Sequence, residues 1–440
     1  MVLRVAVIGA GPAGLCAARY LSAKLDRFFP TVYEQTAAVG GTWVYTDRTG
    51  TDDYGLPVHS NIYKNLRTNV PKEAMVFTDF PYDSRLRSYL SHKEVLRYIQ
   101  NYADHFELHK YIQFLSRVDV VKPVHVHGAV KWDVTTFKVT APDSPSTEQF
   151  DAVMVCNGGQ YSDPYTPVIP GADQFQGRTL HSHDYRVPEP FHGRNVVIIG
   201  ALASGIDLCV EIAGMAERIV LSHSNPPDMK INKLPPNVTE ASRVEKIIGP
   251  NTLRFQDGQE FQADDIVYCT GSRLSLPFLT PECGITVHQG RAFPIYKHVL
   301  NTTYPSMSFV GLTHHSITFP LFQLQVSLAL GALDGSLNLP SKAAMDQEVD
   351  QDFKARLEAG QAPHQAHDVF PLHLSYITEL ATVTRQPDPL CQTTMSADSF
   401  LRMFADPLHY RDVKYEITGP ETWERVVVKE EGDHGEYSLK

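Results

Sequence analysis

Three features of this 440-residue sequence predict an α/β fold built on two βαβ units. The first is the turn Gly9-Ala10-Gly11-Pro12-Ala13-Gly14, which follows the apolar run Leu-Arg-Val-Ala-Val-Ile and leads into small residues at Ala13, Ala17 and Ala18. The second is Glu34, which closes the next apolar run, Thr31-Val32-Tyr33, 20 residues after Gly14. The third is a related turn, Gly200-Ala201-Leu202-Ala203-Ser204-Gly205, set between the apolar stretch 195–199 and a helix-like stretch near 206–215. Strand, glycine turn, helix and an acid at that spacing form the pattern that holds a dinucleotide. The first glycine permits the tight turn, the second admits the pyrophosphate, the third lets helix and strand touch, and the acid meets ribose hydroxyls.

Taken in order, a buried strand at 5–8 precedes the first turn, a helix follows near 12–24, and a strand ends at Glu34. Residues 113–155 alternate in short β-like stretches, 131–139 and 150–155 among them, and predict an antiparallel meander that returns to the first sheet. The proline-rich connector from Pro164 to Gly171 marks a domain boundary. The second unit then runs as strand 195–199, turn, helix, and strand 218–221. A further buried strand, 265–269, ends in Thr270-Gly271, after which the chain is expected to rejoin the first domain. The charged tail from Lys429 is expected to fray.

Composition narrows the class. Hydrophobic residues at 42% and charged residues at 20% describe an ordinary soluble globular chain. A net charge of −11 argues against a nucleic-acid partner. No apolar run approaches the ~20 residues of a membrane span, and the first strand runs straight into its glycine turn without a secretory signal. Six cysteines without a CxxC pair suit a reducing compartment, so a cytoplasmic location is expected. The missing CxxC also argues against a disulfide reductase. The oligomeric state stays open, a homo-oligomer included.

The two turns are not equivalent. Leu202 stands where the close-approach glycine belongs, so the second dinucleotide is expected either to sit further out or to bind less well. Ser204 and Gly205 still offer a hydroxyl and backbone amides. His181, His183 and Asp184 invite a metal-site reading, but no metal is expected there.

Just before the second unit stands Phe175-Gln176-Gly177-Arg178-Thr179-Leu180-His181-Ser182-His183-Asp184-Tyr185-Arg186, which fits FxGxxxHxxxY(K/R). With it come Gly40-Gly41-Thr42-Trp43, the run from Tyr63 to Glu73, Phe80-Pro81-Tyr82, Tyr268-Cys269-Thr270-Gly271 and Phe319-Pro320-Leu321-Phe322-Gln323-Leu324-Gln325. On these motifs, which span most of its length, the chain resembles the flavin-containing monooxygenases, class B flavoprotein monooxygenases. Within the family it looks most like the soluble insect enzymes that N-oxygenate pyrrolizidine alkaloids.

The resemblance implies two Rossmann-like domains, the NADP domain (166–281) inserted into the FAD domain (1–165 and 282–440). It places FAD on Gly9, Gly11 and Gly14, with Glu34, Thr42, Trp43, Thr68 and Gln325 around it. NADPH falls to Gly200, Ser204, Gly205 and Arg411, the last reaching a ribose phosphate. Ser222-His223-Ser224 stands where the family often carries an arginine, which leaves Lys230 or Lys233 to compensate. Asn69 matches the catalytic asparagine beside flavin and nicotinamide. The activity implied is insertion of one oxygen of O2, through a hydroperoxide at flavin C4a, into a soft nitrogen or sulfur nucleophile. Baeyer–Villiger enzymes end the pattern in Trp-Pro or Trp-Asp, where this chain has Tyr185-Arg186. The alternative class is a weakly coupled NADPH oxidase or a non-catalytic flavoprotein, which Leu202 motivates.

Overall fold

The computed structural model describes residues 2–158, 163–225, 229–369 and 373–428, so the tail from Lys429 lies outside it. The first unit is strand β1 (Leu3–Ile8), helix α1 (Pro12–Ser22) and strand β2 (Phe28–Tyr33). Pro30 is tolerated inside β2 because the next strand pairs only with Val32 and Tyr33, leaving one edge open at the proline. Helix α2 (His92–His105) starts at a capping box between Ser91 and Glu94. Strand β3 (Ile112–Gln113) joins β2, and β4 (Ser116–Val126), β5 (Ala129–Lys138) and β6 (Ala141–Phe150) form the expected antiparallel meander. Strand β7 (Ala152–Val155) then returns beside β1.

The second unit contributes β8 (Arg178–His181), β9 (Asn195–Ile199), helix α3 (Ala203–Ala213), β10 (Arg218–Ser222) and β11 (Val238–Ala241). A small antiparallel sheet of β12 (Val244–Ile247), β13 (Thr252–Phe255) and β14 (Glu260–Gln262) precedes β15 (Asp265–Tyr268). Helix α3 starts at Ala203 rather than near 206, because the turn is complete once Leu202 takes the capping position.

Beyond the second sheet come the hairpin β16 (Thr286–His288) and β17 (Arg291–Phe293), then β18 (Ile295–Tyr296), β19 (Leu300–Asn301) and β20 (Met307–Phe309). Among the described residues four α-helices follow: α4 (Phe319–Asp334), α5 (Lys342–Glu358), α6 (His373–Thr384) and α7 (Leu390–Ala405). A hairpin of β21 (Val413–Ile417) and β22 (Trp423–Val427) ends the described chain.

Two main sheets result. The first has seven strands in the order β18-β19-β20-β7-β1-β2-β3, and the second five in the order β11-β10-β9-β15-β8. All five strands of the second lie between Arg178 and Tyr268, while β18–β20 return to the first. The two crossings run side by side: Tyr165 donates to the Gly271 carbonyl at 2.9 Å and Arg273 to that of Asp163 at 2.7 Å.

Burial holds each layer. One face of the first sheet packs Val5, Val7 and Val32 against Leu15 and Leu21 of α1 and Leu324 and Leu328 of α4. The other face packs Ala6, Ile8 and Val153 against Val121, Trp132 and Val134 of the meander. A third apolar cluster runs through the junction of the halves, joining Tyr63, Tyr89 and Tyr185 to Ile206 and Leu208 of α3 and to Met403, Tyr410 and Tyr415. At ~25 cal/mol per Å2 of apolar area, such a shared cluster opposes separation of the two halves. Among the described residues no helix is long and apolar enough to cross a membrane.

Candidate functional site

Parallel pairing in register builds both sites. Ile8 pairs with Tyr33 on one side and Val155 on the other, so Gly9, Glu34 and Cys156 emerge together at the carboxyl ends of their strands. Ile199 pairs likewise with Ser222 and Tyr268, which brings Gly200, His223 and Cys269 together. This is where open parallel sheets bind ligands.

The first turn is shaped by contact with the protein itself. Gly9 has φ +101°, and a Cβ there would lie 2.7 Å from the Cys156 carbonyl oxygen. A Cβ on Gly14 would lie 1.9 Å from the Gly9 carbonyl oxygen, so helix α1 starts in direct contact with the turn. Gly11 differs: an added Cβ would meet only the backbone of Gly41, at 3.5 Å. The space over the α1 N-terminus is therefore a cradle that a side chain would fill, between two glycine backbones. Unpaired N–H groups and the helix dipole suit it to an anionic pyrophosphate.

Glu34 is buried, and its carboxylate accepts from the Ala10 amide at 2.8 Å and from the Thr36 amide and hydroxyl, each at 2.8 Å. It thus fixes the glycine turn, and three contacts leave one carboxylate lone pair for an outside donor. Thr42 and Trp43 lie half-buried in a short 3-10 turn abutting Gly11. The Thr42 hydroxyl donates to Asn61 at 3.0 Å, and its carbonyl accepts from Ser60 at 2.7 Å.

The second turn repeats the first. Gly200 has φ +104°, with a virtual Cβ 2.4 Å from the Cys269 carbonyl oxygen, and a Cβ on Gly205 would lie 1.8 Å from that of Gly200. Leu202 takes φ −93° and ψ −163°, close to −73° and −177° at Gly11, so the leucine adopts the capping backbone without strain. Leu202 is 40% exposed at the α3 N-terminus, where Ser204 is also exposed and its hydroxyl has no hydrogen-bond partner among the described residues. The crowding expected at Leu202 is thus a matter of its side chain, not of the backbone. Beyond β10, His223 pairs with Glu240 at 3.0 Å and Lys233 with Asp406 at 2.6 Å, while Lys230 is exposed.

The segment 60–69 runs from one site to the other. Ser60 and Asn61 hold Thr42; the Tyr63 hydroxyl donates to Asp207 of α3, and Asn65 donates to Glu211 at 3.3 Å. At its far end Asn69 is exposed, its side-chain amide without a hydrogen-bond partner among the described residues and its carbonyl held by Ser399 at 2.9 Å. Burial raises the Glu211 carboxyl to about 7, against the stabilising hydrogen bond from Asn65.

Three of the expected site residues have protein partners of their own. The Thr68 hydroxyl accepts from the Leu90 amide at 3.1 Å, which ties Thr68 into the loop. Gln325 is fully buried: its carbonyl accepts from Gly311 at 2.8 Å, and its amide donates to Tyr376 at 3.2 Å. It holds the loop after β20, whose Gly311 faces Ala13 of α1. Arg411 turns its guanidinium to Asp207 at 2.6 Å and to the carbonyls of Thr68 and Arg67 at 3.0 and 3.2 Å. Asp207, Glu211 and Ser399 escaped the sequence reading, and Tyr63 entered it only as the first residue of the motif 63–73. Of the three that escaped, only Asp207, two residues beyond Gly205, had a positional signal.

The motif at 175–186 is structural. A Cβ on Gly177 would lie 2.5 Å from both the Asp264 carbonyl oxygen and the Phe175 ring. Buried Arg186 donates to five carbonyls, those of Thr46, Arg48, Ser60, His183 and Tyr185, at 2.7 to 3.1 Å. It thereby ties the second unit to the segment that carries Thr42 and Asn61. His183 pairs with Asp184 at 3.0 Å, and among the described residues no cluster fit to hold a metal occurs.

Comparison with known proteins agrees with this geometry. The family described as flavin-binding monooxygenase-like matches residues 2–227 and 232–427. Flavin-containing monooxygenase FMO GS-OX5 of Arabidopsis thaliana is 37% identical over 395 residues, 86% of this chain and 84% of that protein. FMO GS-OX-like 2 of the same plant is 35% identical over 429 residues, 93% and 90% of the two chains. The structure of S-allyl-L-cysteine S-oxygenase from Allium sativum superposes with a TM-score of 0.85 at 32% identity, covering 94% of this chain and 95% of that one. Tmm from Pelagibacter sp. strain HTCC7211 gives 0.81 at 26% identity, covering 96% and 95%. The chain therefore belongs to the flavin-containing monooxygenases, flavoprotein oxidoreductases that work with FAD and NADPH.

Proposed function

We propose that this protein inserts one oxygen of O2 into a soft nucleophile, a thioether sulfur in preference to a tertiary amine, with FAD on the first glycine turn and NADPH on the second. The observation that carries the reading is the segment 60–69, which ends in an exposed Asn69 amide on a backbone pinned from both sites. The preference for sulfur rests on the likeness to the Allium sativum S-oxygenase. On this reading residues 1–165 and 282–440 hold FAD and residues 166–281 hold NADPH.

Bound FAD and NADPH supply hydride transfer and activation of O2; the chain supplies binding, orientation and exclusion of water. The N-termini of α1 and α3 bind the two pyrophosphates through backbone amides. The Asn69 amide donates and accepts without titrating, which suits a site where charge must not vary with pH. Gln325 acts through Gly311, keeping the loop after β20 against α1. No acid–base pair is required, because a sulfur or nitrogen lone pair attacks directly.

The experiment is a panel of thioethers and tertiary amines incubated with the FAD-loaded protein, NADPH and O2, scored for oxygenated product and for peroxide. Sulfoxide formed in step with NADPH consumption is the expected result. NADPH consumed wholly to peroxide across the panel would establish the oxidase reading, and N-oxides without sulfoxides would reverse the preference.

A further inference from the structure

The Arg411 guanidinium is nearly enclosed, and three of its five N–H donors are spent on protein acceptors. Burial works against its charge, and the Asp207 carboxylate together with the Tyr410 and Tyr63 hydroxyls outweighs that penalty, so the guanidinium stays charged. Two of the acceptors are the carbonyls of Arg67 and Thr68, the residues immediately before Asn69. The third, Asp207, opens the second turn of α3, two residues past Gly205. The opposite oxygen of Asp207 accepts from Tyr63, at the start of the same segment, and Glu211, one turn further along α3, accepts from Asn65. The Asn69 carbonyl is held separately by Ser399, itself bonded to Tyr89 at 2.7 Å. The anchors of this segment are thus the side chains of Tyr63 and Asn65 and the backbone carbonyls of Arg67, Thr68 and Asn69, and among the described residues none engages the Asn69 amide.

We propose that Asp207 and Arg411 are positioning residues that hold Asn69 in register with the helix behind the second glycine turn. Arg411 on this view is a strut rather than a ligand of the coenzyme phosphate. The inference rests on the reading that Asn69 acts at the reacting centre. Its mechanical content is that α3, whose N-terminus receives the second coenzyme, and the Asn69 amide move as one unit. Held so, the amide keeps its orientation through reduction and oxygenation. A displacement of order 1 Å in a positioning element costs ~100-fold in rate when geometry is the source of catalysis.

The test compares Arg411→Gln, Asp207→Asn, Asn69→Ala and the double variant Arg411→Gln/Asn69→Ala in the FAD-loaded protein. Two readouts are taken: peroxide released per NADPH oxidised, and the dissociation constants of NADPH and NADH by equilibrium titration. Arg411→Gln and Asp207→Asn are each expected to raise peroxide release several-fold while leaving the ratio of the two constants unchanged. In the Asn69→Ala background Arg411→Gln is expected to add nothing. If Arg411→Gln instead weakens NADPH roughly tenfold or more and spares NADH, Arg411 is a phosphate ligand and the inference falls. Additive uncoupling in the double variant overturns it as well. Should Asn69→Ala couple like the parent, the functional reading of Asn69 fails and the inference with it, whereas an uncoupled Asn69→Ala beside a coupled Arg411→Gln sinks the inference alone. Arg411→Lys, which keeps the charge beside Asp207 without the fork to two carbonyls, serves if the glutamine variant does not fold, with the same outcomes expected.

Discussion

Adding one methyl group at two positions of the first glycine turn separates its architecture from its binding function. At Gly14 the new Cβ would lie 1.9 Å from the Gly9 carbonyl oxygen and 2.9 Å from its carbon. An ordinary contact begins at 3.4 Å, so helix and turn must part by roughly 1.5 Å, and both sides are backbone. Overpacking in a rigid core costs about 1–3 kcal/mol, and a clash with no flexible side chain to yield belongs at or above the top of that range. At Gly11 the new Cβ would meet only the Gly41 backbone at 3.5 Å, and φ is −73°, so the apoprotein should lose no more than about 1 kcal/mol, the cost of alanine at a helix cap. The Gly11→Ala methyl does, however, fill the cradle. The assay is thermal unfolding of each apoprotein together with flavin absorbance per chain after reconstitution. Gly14→Ala should fall in both. Gly11→Ala should melt like the parent and bind FAD weakly. A Gly14→Ala protein of parental stability, or a Gly11→Ala protein that binds FAD as the parent does, would refute the reasoning.

Leu202→Gly should tighten NADPH, because it clears an exposed side chain from the α3 N-terminus without changing the backbone; titration giving unchanged or weaker affinity would show a site adapted to its leucine. Arg186→Lys leaves at most three donors for five carbonyls, so at least two lose their partner, and stability should drop by about 2–5 kcal/mol. Denaturant midpoints equal to the parent's would remove that account. Burial lowers His298 and His314 to about 4. Their folded values lie below the unfolded 6.5, so the unfolded chain takes up protons first and stability is lost as pH falls from about 6.5 to 4. One such histidine contributes about 3 kcal/mol at full loss. His298→Gln should flatten the melting-temperature profile across that window, and an equally steep profile would count against the assignment.

Much of the scaffold was legible because its signals are local. Each βαβ unit compresses strand, turn and helix into a few tens of residues, and the glycines are demanded by backbone contacts within that span. The meander at 113–155 was equally plain from its alternation. The helices after 319 were not read, and the reason is physical. Helix α4 is buried on most of its faces and α5 is polar around most of its own, so neither shows the apolar stripe that marks a surface helix. Helix α2 did carry a signal, the Ser91 and Glu94 capping box.

Sequence by itself determined the α/β class, two dinucleotide turns and the inequality between them. Tertiary structure decided what the remaining polar residues do. Arg411 meets Asp207 across 204 positions of chain, and Ser399 meets Asn69 across 330. The Thr68 hydroxyl meets the Leu90 amide, and Gln325 divides its side chain between the Gly311 amide and the Tyr376 hydroxyl. Such contacts have no period or spacing in the chain, since they arise only when separately folded layers are packed together. A buried guanidinium takes whatever acceptors the packing brings within about 3 Å of it.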